Sequence, residues 1–221
     1  MEKIIINNLK ASGTMTAAEH RDSFVNALIL LNTNGEVLIK DTVFDEPCYN
    51  AIEIGPSTAP SKVTIKNCDF AGKLTNNAIT IFATQDNAVI TVEDCHFADL
   101  SNALRLSNRT NASGVKVYIK NCTVDKWESY AAYSGFLLLQ DYTTPTIDEF
   151  IDKSPFAPDK IEVHFQNLVH AGEVVTVTDL AEAFGSKDAA KQIGYMCIDC
   201  ASGSDKLPAY DQDIYPAISF E

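Results

Sequence analysis

The chain has 221 residues, 46% of them apolar and 21% charged, a balance that excludes disorder and fits one domain with room for a small appendage. Its 17 basic and 30 acidic side chains give a formal charge of −13, which excludes wrapping of nucleic acid, where a Lys/Arg surface must displace phosphate counterions. The arginines are only Arg21, Arg105 and Arg109, so a bidentate clamp on phosphate or carboxylate has little to draw on.

Read from its start, the chain opens on Ile4, Ile5 and Ile6 without the longer apolar core of a signal peptide. The longest apolar runs, such as Ala27–Leu31, are too short to span a bilayer. The expectation is therefore no signal peptide, no transmembrane segment and no membrane partner. Thr16 and Glu19 form a capping-box pattern that predicts a short helix after the first strand.

From there the sequence repeats itself. Val63–Phe70 (VTIKNCDF) matches Ile90–Phe97 (ITVEDCHF) and Val117–Val124 (VYIKNCTV). Looser copies are Ile4–Leu9, Val37–Phe44 and Val163–Leu168. The Asn/Asp position falls at Asn8, Asp41, Asn67, Asp94, Asn121 and Asn167, with gaps of 33, 26, 27, 27 and 46 residues. A second word begins at Asn26, Asn50, Asn77 and Asn102, each followed by Ala and then Leu or Ile. Both words alternate apolar and polar residues, the period of a strand. Short strands in units of about 25 residues predict a β-solenoid. Leucine-rich repeats share the period but need a fixed leucine framework that these units lack.

In one coil, Val63, Ile65 and Phe70 point inward and stack on their equivalents about 4.8 Å away. Thr64 and Lys66 point outward. Asn67 sits at a sharp turn, because Asn tolerates the left-handed backbone region. Cys68, Cys95 and Cys122 recur every 27 residues and read as small hydrophobes filling the corner, not as a disulfide framework. Cys197 and Cys200 form a lone C-x-x-C whose pairing the sequence leaves open, and zinc would need two more ligands.

The V-x-I-x-N-C-x-F word resembles the coil signature of right-handed parallel β-helix proteins, the pectate-lyase-like group, over residues 1–170. The resemblance implies an all-β parallel β-helix of six to seven coils, with an insertion at 125–160 and a small mixed α/β cap over 171–221. The cap reading comes from Asp179–Phe184, a helix closed by Gly185, from a second helix capped by Ser186, and from a strand at Tyr195–Cys200. The tail from Ala209 carries Tyr210, Tyr215 and Phe220, and must pack back or meet a partner. The insertion holds Trp127, Tyr130, Tyr133, Tyr142 and Phe156, a candidate interaction surface or a lid folding back on the solenoid.

Enzymes of this group are expected to use one exposed sheet. The equivalent outward ladder is Glu53, Thr80 and Arg105. Glu53 and Arg105 lie two coils apart, about 10 Å by coil spacing, and an inverting glycosidase needs a second carboxylate that the ladder lacks. A lyase would want calcium-binding acids beside its base. The N-T-D, D-D and G-H-G words of the polygalacturonase-like members and the R-x-P-x-x-R word of pectate lyases are absent. The outward ladder Lys40, Lys66, Glu93 and Lys120 mixes both signs, as a soluble face does. His20, His96, His164 and His170 share no metal-ligand spacing, and His96 and Asp69 occupy one coil position in neighbouring coils. Asn108 heads an N-x-T pattern that has no use without export.

The expectation is a non-catalytic structural or interaction protein without cofactor or metal. Its general character resembles a bacteriophage virion β-helix protein, such as a capsid decoration, head fibre or tail-associated subunit. Its partners would be other virion proteins or its own copies as a homotrimer, and it would be made in the host cytoplasm. The alternative is a polysaccharide-binding or polysaccharide-degrading protein using Glu53, Thr80 and Arg105.

Overall fold

The computed structural model describes residues 3–11, 27–45, 50–55, 57–70, 77–98, 101–125, 135–141, 146–185, 192–198 and 209–221. The chain winds into a parallel β-helix with three walls. Wall A contains β1 (Lys3–Asn7), β4 (Glu36–Lys40), β7 (Lys62–Lys66), β10 (Val89–Glu93), β13 (Val115–Lys120), β16 (Ile161–Gln166) and β20 (Ala217–Phe220). Wall B contains the two-residue strands β2 (Lys10–Ala11), β5 (Val43–Phe44), β8 (Asp69–Phe70), β11 (His96–Phe97), β14 (Thr123–Val124), β17 (Val169–His170) and β18 (Glu173–Val174). Wall C contains β3 (Ala27–Leu31), β6 (Asn50–Ile54), β9 (Asn77–Ile81), β12 (Asn102–Leu106), β15 (Gly135–Gln140) and β19 (Gly194–Cys197). Each coil visits A, B and C in turn. All pairings are parallel except β17 with β18.

Register follows the repeated word residue by residue. Val63 pairs with Ile90 and Ile65 with Val92, and these inward side chains are buried. Phe44, Phe70 and Phe97 form a column, with centroids 4.8 and 4.9 Å apart and rings within 4° of parallel. Strand spacing sets this interval. At the next coil Val124 takes the position, and Phe136 of β15 meets Phe97 edge-on at 5.5 Å.

The turn between walls A and B is left-handed in every coil, with φ of 56° at Asn8, 52° at Asp41, 49° at Asn67, 54° at Asp94, 51° at Asn121 and 52° at Asn167. Amides and carboxylates cooperate there. Asn67 Nδ2 donates to Asp41 Oδ1 at 2.7 Å, and Asn121 Nδ2 donates to Asp94 Oδ1 at 3.2 Å. Asp supplies the acceptor and Asn the donor at these steps, and Asn121 in turn accepts from Asn167 Nδ2 at 3.2 Å. Directly after the turn, the Cys68 thiol donates to the Lys66 carbonyl at 3.3 Å, and Cys95 and Cys122 repeat the contact. Thr42 makes the same bond to Lys40 at 2.8 Å, so a small side chain with one donor fills this corner.

Residues 125–160 contain more than an insertion. Gly135–Gln140 is the wall C strand of the fifth coil, with all six residues buried. It is followed by α1 (Ile147–Lys153), which Thr146 caps by accepting from the Glu149 amide at 3.2 Å. The far end is plugged by α2 (Leu180–Gly185), whose Ala183 and Phe184 enter the core. Tyr215 donates to the Phe184 carbonyl at 3.1 Å, and the tail packs back as β20, where Phe220 stacks on Phe165 at 4.7 Å. The helix expected at Thr16–Glu19 and the one capped by Ser186 fall largely outside the described residues.

Candidate functional site

The outward ladder of wall C is in register. Leu30 pairs with Glu53, Glu53 with Thr80, Thr80 with Arg105, Arg105 with Leu138, and Leu138 with Tyr195. Its exposure corrects the sequence reading. Leu30 is 58% exposed and Glu53 half-buried, but Thr80 is 0% and Arg105 3% exposed. Alternation assigns these residues to the outer side of the sheet, yet that side is covered from the third coil onward.

Several polar groups on this wall bond one another, while Asn77 Oδ1, Asn102 Oδ1 and Ser107 Oγ are buried without a hydrogen-bond partner among the described residues. Asn50 Nδ2 donates to Glu53 Oε1 at 2.7 Å. Asn50 Oδ1 accepts from Asn77 Nδ2 at 3.0 Å and from Thr80 Oγ1 at 3.3 Å. Arg105 and Arg109 both lie over the Phe82 ring, at 5.1 and 4.3 Å from its centroid. The ring's negative face offsets the proximity of two cations. Beyond them, the fully buried Asp141 carboxylate accepts from Lys153 Nζ of α1 at 2.8 Å. This pair escaped the sequence reading, although Thr146 and Glu149 carry a capping-box signal for the helix that presents Lys153. Glu53 is the one carboxylate in the ladder, so a paired acid and base do not meet there.

The aromatic candidates divide. Trp127, Tyr130, Tyr133 and Tyr142 lie outside the described residues. Phe156, a candidate for an interaction surface or for a lid folding back, is fully buried in the core 6.2 Å from Phe150, which fits the lid and not the surface. Asn108 is likewise inaccessible to glycosylation, since its buried amide donates to the carbonyls of Ala112 and Pro155 at 2.9 and 2.7 Å. Cys68, Cys95 and Cys122 are buried free thiols, Cys197 is buried, and Cys200 is outside the described residues.

Wall B carries a second polar cluster. His96 Nδ1 lies 2.9 Å from Asp69 Oδ1, and its Nε2 lies 3.1 Å from Asp125 Oδ1. The 27-residue repeat points to Asp69. Asp125 reaches His96 from beyond the end of β14, so no shared repeat position signals it. Among the described residues, no three His, Cys, Asp or Glu side chains are placed to hold a metal ion, and no helix is long and apolar enough to cross a membrane.

Comparison with protein families matches residues 6–149 to the right handed beta helix region. Comparison with curated proteins and with solved structures returns no match.

Proposed function

The chain belongs to the right-handed β-helix family, and from that premise we propose that it is a non-catalytic structural protein, a bacteriophage virion component of the capsid-decoration, head-fibre or tail-associated kind. The supporting observation is the fate of the wall that would carry catalysis. Its ladder holds one carboxylate, and Thr80 and Arg105 beside it are closed to a polymeric substrate. What the sequence builds instead is a stiff rod, with stacked rings, amide ladders and a plugged end. The buried free thiols suit a chain that folds under reducing conditions.

Density-gradient fractionation of a phage-bearing source culture, with mass spectrometry, tests the reading. Co-migration with intact particles at a fixed ratio to the major capsid protein is expected. Recovery only as free protein overturns it. A glycan-active protein is the second reading, favoured by the buried Asn77 Oδ1, Asn102 Oδ1 and Ser107 Oγ, which have no hydrogen-bond partner on wall C. Glu53→Ala and Arg105→Ala discriminate: loss of glycan binding or turnover supports that second reading, and unchanged behaviour supports the structural one.

A further inference from the structure

We infer that His96 is a pH-sensitive staple, which locks three successive coils of wall B together when protonated and loosens them when neutral. Wall B is the weakest of the three walls by backbone pairing, because each of its strands contributes two residues where wall A contributes about five. His96 stands at its centre, on β11. It reaches back one coil to Asp69 on β8 and forward one coil to Asp125 after β14.

The geometry selects one protonation state. A neutral imidazole has a single N–H and can donate to one of these carboxylates only. Its other nitrogen would then turn a lone pair toward a carboxylate oxygen about 3 Å away. The imidazolium alone donates to both. The other described groups near it are consistent with this. Val43 and Thr123 in the same wall are uncharged, and Asp94 at the preceding turn is paired with Lys66 at 3.4 Å, while Asp41 lies farther along the same groove. Burial pulls the imidazole pKa down, but the bonds to Asp69 and Asp125 outweigh it and hold the pKa above its ordinary value.

The sign follows from linkage. A raised pKa in the folded state means that the contribution is complete below the unfolded value and is lost as pH rises through the folded one. Wall B should therefore loosen as pH rises through the raised folded-state pKa of His96. The inference is independent of the virion reading, since the titration can be measured whatever particle the chain joins.

Amide hydrogen exchange on the full chain tests it. The reporters are the wall B amides of Asp69, His96 and Thr123, which donate to Thr42, Cys68 and Cys95 at 3.0, 3.0 and 2.9 Å. Between pH 6 and pH 9, corrected for intrinsic exchange, their protection should fall by roughly fivefold, the effect of two partly exposed ion pairs. Wall A amides such as Ile65 and Val92 should hold. His96→Gln keeps a hydrogen-bonding side chain that does not titrate, and its wall B protection should be flat over the same range. NMR titration should show the His96 pKa falling in both Asp69→Asn and Asp125→Asn. Protection that falls identically in His96→Gln, or a His96 pKa that ignores both Asn variants, overturns the staple.

Discussion

Removing one ring from the phenylalanine column measures how rigidly the coils are held. Phe70 lies between Phe44 and Phe97, parallel to both and fully buried. Phe→Ala in a core costs about 3–5 kcal/mol, and each lost aromatic pair about 0.5–1.5 kcal/mol of that or beyond it. The flanking rings are fixed by the β5–β8 and β8–β11 pairings, so the hole cannot close by local collapse. Phe70→Ala should therefore fall at the top of the range, about 5 kcal/mol. Phe220 offers the control. It stacks on one ring, Phe165, and is only half-buried, so Phe220→Ala should cost about 2 kcal/mol. Equilibrium urea unfolding followed by circular dichroism reads both. With a urea m-value of about 3 kcal/mol/M, the Phe70→Ala midpoint should drop by about 1.5 M and the Phe220→Ala midpoint by less than half that. A biphasic transition in Phe70→Ala alone would mark uncoupling of the coils on either side, as nearest-neighbour stacking requires. Equal costs for the two variants, or less than about 2 kcal/mol for Phe70→Ala, would refute the fixed-register column.

The turn can be dissected by two substitutions at Asn67, whose φ is 49°. Asn67→Ala should be less stable than Asn67→Gly by about 1–2 kcal/mol in chemical denaturation, because only alanine pays for the left-handed backbone. In both variants NMR should show the Asp41 carboxyl rising toward its ordinary value, since the Asn67 amide is the largest influence holding it down, with burial opposing and Lys40 and Lys66 assisting. The thiols of Cys68 and Cys95 are pushed far above the ordinary range, Cys68 by its contact with Cys95 and by burial, Cys95 chiefly by Cys122. Mass-spectrometric mapping after a thiol reagent at pH 8 should find both unlabelled in the native protein and labelled in urea; native labelling would contradict the buried corner. Lys153→Met should cost about 2–4 kcal/mol by calorimetry, because it strips an ion-pair partner from the fully buried Asp141. Much of that loss should return in the Asp141→Asn, Lys153→Met double variant.

How much of this molecule could be read from its sequence depends on which chemistry repeats once per coil. Residues 63, 65, 67, 68 and 70 each meet one fixed demand: an inward apolar side chain, a left-handed turn, a small donor in a corner, a ring in a column. Their equivalents meet the same demand 27 residues on, so walls A and B stand out in the text of the chain. Wall C is legible only while its strands begin with Asn. At the fifth and sixth coils the strands begin at Gly135 and Gly194, because a Cβ would come within 2.8 Å of the Ile193 carbonyl at the first and within 2.6 Å of the Leu137 carbonyl at the second. The word vanishes there for a packing reason, and Gly135–Gln140 reads as insertion. Alternation has a further limit. It tells which side of a sheet a residue takes, and so places Thr80 and Arg105 outward, but it does not tell whether that side is covered. The cover at Arg105 includes Phe82, a residue in another coil, and the packing at Asn108 includes Pro155, 47 residues away. Distance in sequence hides such contacts, and no period reports them. The same holds for His96, where the in-column partner Asp69 is visible and the diagonal partner Asp125 is not. The contacts that set the environment of His96 and Arg105 therefore lie outside the repeat, and His96→Gln and Arg105→Ala probe them.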